Sequence, residues 1–153
     1  SSPAAASTGR LSWLARLYIY SLHGLAIEVC FCAVWYLIER FEVRLHGYSS
    51  VWSLPIYGLS LLCMEAQSDW LQSRQVPMPL RGLVYLAWTY AWEFACGSVL
   101  KLFGANSWDY TDYANYHIYG LVNFDYAPLW FTSGLLCERY LLVWARSLRW
   151  DSG

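Results

Sequence analysis

The chain has 153 residues, of which 58% are hydrophobic, 19% aromatic and only 14% charged, with a net charge of −1. Soluble domains usually carry about 25% charged residues, so the composition argues against an ordinary water-soluble domain, and the near-zero charge argues against a nucleic-acid partner. The five cysteines all lie in apolar stretches, at spacings that suit neither a disulfide framework nor a zinc site. They read as packing residues, and no metal and no cofactor are expected.

The chain opens with a Ser/Ala/Pro/Gly-rich stretch, and residues 1–16 are predicted to be flexible. Four windows follow, 17–38, 51–71, 82–103 and 121–144. Each supplies the ~20 mostly apolar residues that a bilayer-crossing helix needs. Their apolar character runs around every face, as expected of helices surrounded by lipid. The predicted fold class is all-α, a polytopic membrane protein with four transmembrane helices over 17–148 and a C-terminal tail at 149–153. Its first partner is the lipid bilayer.

Each window carries one glutamate, and hydrocarbon penalises an ionisable side chain by about 3 kcal/mol or more. In the first, Ser21, Gly24 and Cys32 share a face with Glu28. His23 falls on another face, as an interior hydrogen-bonding residue or a proton shuttle. In the second, Pro55, Tyr57 and Gly58 precede Glu65, and in the third, Thr89 and Gly97 flank Glu93. The loop that follows holds Trp108, Asp109 and Tyr110, where alternating aromatics and acids suit an interfacial cap or a gate. In the fourth, Pro128 and Gly134 precede Glu138, which Arg139 follows. Small residues let helices approach closely in lipid, so the glutamates are expected to face the bundle interior. Matched prolines at 55 and 128 are read as helix breaks that free a carbonyl for a ligand.

The two halves echo each other. Glu28 and Glu93 stand 93 − 28 = 65 positions apart, and so do Tyr20 and Tyr85. Glu65 and Glu138 stand 138 − 65 = 73 apart, as do Pro55 and Pro128, and Gly47 and Gly120. The repeating unit is a hairpin of two spans, so the two hairpins are tandem and share one orientation. Basic residues place Arg10, Arg16, Arg74, Arg81, Arg139, Arg146 and Arg149 on one side and Arg40, Arg44 and Lys101 on the other. That asymmetry predicts both termini in the cytosol.

Several of these residues form ordered motifs. His23-Gly24 with Glu28, Gly47-Tyr48 and Pro55-Ile56-Tyr57-Gly58 make one set. Glu93-Phe94 with Gly97, Lys101-Leu102-Phe103-Gly104 and Trp108-Asp109-Tyr110-Thr111 make the other. Over about residues 18–144 the chain resembles the transmembrane protein 229 family of animals and is similar to the bacterial ABC-transporter permeases of the CmpB type. The resemblance implies a multi-pass membrane protein and no settled biochemical activity. A nucleotide-binding Gly-rich loop ending in Lys-Ser or Lys-Thr is absent, so ATP use would need another protein. Gly47-Tyr48-Ser49-Ser50-Val51-Trp52 departs from the bacterial approach to the second helix.

Three classes of function fit. A permease or transport subunit would bind or couple through Glu28, Glu65, Glu93 and Glu138. Four helices enclose little volume, so this class predicts a homo-oligomer or a membrane partner subunit. A scaffold would use the same residues as a structural hydrogen-bond network. An intramembrane enzyme would use the carboxylates as acid and base, but no catalytic residue stands out, because no nucleophile–base pair is evident.

Overall fold

The computed structural model describes residues 9–150. Helix α1 runs Trp13–Arg40, α2 Ser53–Ser73 and α3 Met78–Leu102. A two-stranded hairpin follows, β1 (His117–Ile118) against β2 (Val122–Asn123), then a single 3₁₀ turn, Phe124–Tyr126. The last helix begins as α4 (Ala127–Leu136), passes through a π-helical turn (Cys137–Leu142) and ends as α5 (Val143–Ser147). The protein is mostly helical, with four helical rods.

The helix ends differ from the sequence expectation for local reasons. Predicted flexibility over 1–16 stops short of 16. Ser12 caps α1, its hydroxyl accepting from the Ala15 N–H at 3.2 Å, so the helix starts at Trp13. The first eight residues and the last three of the predicted tail lie outside the described residues. Residues 121–126 are not α-helical, because Tyr119 and Gly120 both take positive φ (52° and 70°) in the three-residue loop that joins the paired residues Ile118 and Val122, and a 3₁₀ turn follows. A Cβ on Gly120 would also collide with the Asp109 carboxylate. Pro55 and Pro128 are not helix breaks. Each stands in the first turn of its helix, where a missing N–H leaves no bond unmade.

Helix α1 packs on α2 and α3 on α4, and the hairpins meet through α2 with α3 and α1 with α5. The seams are made by glycines. Gly24 admits the Tyr57 side chain and Gly134 admits Tyr85. Gly58 faces Leu17, whereas at the corresponding places of the second hairpin Gly82 faces Phe131, so small and large partners are exchanged between the helices. The segments flanking the first and last helices lie together: Arg10 pairs with Arg149 as an antiparallel bridge.

The core is narrow. Tyr20, Leu61, Met64, Leu71, Tyr85, Leu142 and Ala145 form its buried cluster. The larger apolar side chains point outward, among them Tyr18, Ile27, Val34 and Ile38 on α1 and Leu83 and Val99 on α3. The buried set instead includes Glu65, Glu138, Ser53, Ser68 and Asn123. Among the described residues, α1 alone is long and apolar enough to cross a membrane by length and hydropathy. Helices α2 and α3, with 21 and 25 residues, have the length, but Tyr, Trp, Ser and charged side chains lower their hydropathy.

Replacing Gly24 by Leu drives a side chain into Tyr57 and should lower stability by about 1–3 kcal/mol or more. Thermal unfolding of the purified protein against wild type measures this, and an unchanged midpoint would contradict the seam.

Candidate functional site

The four glutamates separate into two chemically different pairs. Glu65 and Glu138 are each gripped by an arginine. Arg16 donates from Nε to both Glu65 oxygens at 3.2 and 3.1 Å, with Nη2 at 3.1 Å, and Tyr20 donates its hydroxyl to the same carboxylate. Arg81 donates from Nε to both Glu138 oxygens at 3.0 Å and from Nη2 at 2.7 Å, and Tyr85 adds its hydroxyl. Each arginine also anchors its own helix start, through Leu11 O at 2.6 Å and Val76 O at 2.7 Å. Arg146 adds a further tie on the first side, reaching the Glu65 carbonyl at 2.8 Å and the Asp69 carboxylate at 2.6 Å. A planar guanidinium matches a carboxylate fork, and the phenol takes a remaining lone pair. These two carboxylates therefore hold helices together.

Sequence reasoning used Arg16 and Arg81 only to set orientation, and noted for Glu138 only that Arg139 follows it. The structure leaves Arg139 exposed and puts Arg81 on Glu138. The missed signal was available, because Arg16 and Arg81 are 81 − 16 = 65 positions apart, the same step as Tyr20 to Tyr85.

Glu28 and Glu93 lie toward the other end of the bundle and meet no arginine. Glu28 accepts from Ser49 Oγ at 2.9 Å, in the loop before α2, and from Ser53 Oγ at 3.0 Å, at the first residue of α2. Glu93 is placed differently: its Oε2 is buried and has no hydrogen-bond partner in the protein. Tyr57 stands beside Glu28 and within electrostatic reach of Glu93, and the two carboxylates are within reach of each other. Tyr90 Oη and Trp130 Nε1 are buried without partners as well. Buried polar groups normally find partners; Gln67 Oε1 and Asn106 Oδ1 are also without one, but among the described residues Glu93 is the one carboxylate with a buried oxygen left unpaired.

The loop after α3 closes over this region. Gly97 leaves room for Trp108, whose Nε1 donates to Leu121 O at 3.0 Å. Asp109 takes the Thr111 hydroxyl at 2.5 Å and the Thr111 N–H at 2.9 Å, and these bonds hold its carboxyl below the usual range. The Tyr110 N–H donates to Gly120 O at 2.8 Å, and its ring lies edge-on to Tyr113 and Tyr126. Tyr126 in turn meets Phe31 and Trp35 on α1. His23 belongs to neither pair. Its Nδ1 bonds Ile19 O at 2.8 Å and its ring tilts against Trp144. Among the described residues, no group of three or more His, Cys, Asp or Glu side chains is placed to hold a metal ion.

Two outcomes test this geometry. Arg81 and Glu138 are 19% and 9% exposed, so Arg81→Gln, which strands the carboxylate, should cost about 2–3 kcal/mol, the low end for a buried pair that keeps some solvent. Replacing both partners, Arg81→Met with Glu138→Leu, should recover most of that loss in denaturation measurements. Burial, and then the nearby Glu93 carboxyl, push the Tyr110 phenol above its ordinary value. Its contribution to stability is therefore complete below the ordinary phenol range and is lost as pH rises beyond it. Ultraviolet titration against Tyr110→Phe reads this as a phenolate that forms only after the exposed tyrosines have ionised.

No solved structure matches the chain. A family model described as "Putative ABC-transporter type IV", the CmpB family, matches residues 16–151. That match takes in both arginine clamps, the Glu28–Glu93 region and the loop over it, and the chain belongs to this family.

Proposed function

We propose that the chain is a four-span subunit of a membrane transport system in which Glu93, together with Glu28, takes up and releases a proton or a cation. The observation that carries this reading is the contrast between matched positions. Glu28 has two serine hydroxyls, while Glu93 holds a buried oxygen with no protein partner. A carboxylate oxygen enclosed without a protein donor is the one that gains most from a bound proton or cation. Tyr57 beside both groups offers a hydroxyl that can follow the charge.

The membrane setting is supported by the family, by the apolar outward face and by the buried Glu65 and Glu138, paired inside the bundle as hydrocarbon solvent requires. On this reading α1, α2, α3 and the α4–α5 rod each cross the bilayer, as two hairpins of one orientation with both termini in the cytosol. Trp and Tyr near the helix ends serve as interfacial anchors. A bundle this small calls for a second copy or a partner subunit to complete a path. A scaffold is the second reading, favoured by the Arg16–Glu65 and Arg81–Glu138 clamps, which bind helices and leave no donor free for a ligand.

Reconstitution into liposomes with imposed proton and monovalent-cation gradients separates the two. Transport predicts that Glu93→Gln, and to a lesser degree Glu28→Gln, reduces flux to the level of empty liposomes while expression stays intact. A scaffold predicts that both isosteric changes are silent and that Gly97→Leu disrupts assembly instead.

A further inference from the structure

At the end of α1 away from the arginine clamps, the last turn of the helix and the loop before α2 enclose a pocket of about 170 Å³, lined by Tyr36, Arg40, Glu42, His46 and Tyr48. Tyr36 and Tyr48 bond hydroxyl to hydroxyl, and their rings lie 5.8 Å apart. One turn on from Tyr36, the Arg40 guanidinium lies over the Tyr36 ring at 4.7 Å. Glu42, the one acid of the lining, has both oxygens taken by Arg44, at 2.8 Å from Nε and 2.9 Å from Nη2. Two bulky residues of the loop stand in the left-handed region, Phe41 at φ 54° and Leu45 at φ 52°. That conformation is costly for such side chains and gathers at ligand clamps.

The lining side chains have donors to spare. In the tyrosine pair one hydroxyl donates and the other accepts, so the accepting phenol keeps its own hydrogen for a further partner. Among the described residues the Arg40 guanidinium enters no ion pair and no hydrogen bond, and the His46 ring enters no hydrogen bond. Glu42 is neutralised by Arg44, and the Tyr36 carbonyl at the negative pole of α1 already accepts from the Phe41 and Glu42 N–H groups. Unspent N–H and O–H groups around a small cavity are complementary to an oxyanion. A volume of about six waters admits a group of a few heavy atoms. Donors from the helix, the loop and the tyrosine pair suit a tetrahedral group, since one guanidinium fork is enough for a planar carboxylate. We propose that this pocket binds a phosphate group, with Arg40 as its cation and His46 and the tyrosine pair as further donors. The proposal rests on neither the transport role of Glu93 nor the number of spans. A lipid headgroup and a phosphate in solution offer the same oxygens.

The test titrates inorganic phosphate into the full chain in nonionic detergent, by calorimetry at fixed ionic strength, with acetate as the comparison. Phosphate should bind at one site per chain and more tightly than acetate. Arg40→Gln should weaken phosphate about tenfold or more, the loss of one charge-assisted bond. Lys101→Gln, which removes an exposed cation outside the pocket, should leave the affinity unchanged. His46→Ala, in an exposed loop, should weaken binding by a smaller factor, and it decides alone if Arg40→Gln fails to fold. The titration is then repeated in bilayer discs of phosphatidylcholine, with and without phosphatidic acid. Loss of the phosphate signal in the doped discs supports the site with a headgroup as its source, and an unchanged signal supports it with phosphate from solution. Absence of saturable phosphate binding to wild type in detergent and in plain discs overturns the proposal, as does binding that acetate equals or that Arg40→Gln leaves untouched.

Discussion

Everything in this bundle hangs on a guanidinium fork closed over a carboxylate, built twice. Arg16 on Glu65 and Arg81 on Glu138 each join two helices that are far apart in sequence, and each is completed by a fully buried tyrosine. The apolar side chains that would form the centre of a water-soluble protein are mostly on the outside here. Packing alone therefore offers few contacts between helices, and directional bonds and close glycine seams take over the task of fixing register. The same clamps tie the helix starts to the preceding segments through Leu11 and Val76, so one interaction sets both pairing and termination.

This distribution of bonds separates holding from handling. The arginine-clamped end has a full complement of donors for every carboxylate. Toward the opposite end lie two helix glutamates, Glu28 and Glu93, with hydroxyl partners for only one of them, and a layer of interlocked aromatic rings above. Where one fold saturates some acids with donors and leaves an equivalent one short, the deficit is the part that structural stability does not explain. The correspondence between the halves sharpens the contrast. Ser53 of the first hairpin gives Glu28 a hydroxyl, and 53 + 73 = 126 brings Tyr126 to the matching place, where it packs on Phe31, Trp35 and Tyr110.

Helix content was legible in the sequence because apolar length is a long-range pattern that no single residue can hide. Helix ends were less so. Ser12 as a cap moved one start earlier, and Tyr119-Gly120 turned six residues of an apparently apolar span into a hairpin and a 3₁₀ turn. Pro55 and Pro128 were misread as interruptions, since a proline in the first turn and one in mid-helix look alike in a string of letters. The glutamates were found from the cost of placing them in an apolar run. Their division into two kinds was not, because partners such as Arg16 and Arg81 lie 49 and 57 positions away and only folding brings them in.

The exchange of Gly58 against Leu17 for Gly82 against Phe131 has one more consequence. The two hairpins follow the same plan, yet the bump sits on the first rod in one and on the second rod in the other. They are left-hand and right-hand fittings rather than spare parts. A tandem of two identical first hairpins would keep both clamps but would meet itself with mismatched contours. The two clamps are alike in their bonding, and the two seams are unlike in their shape.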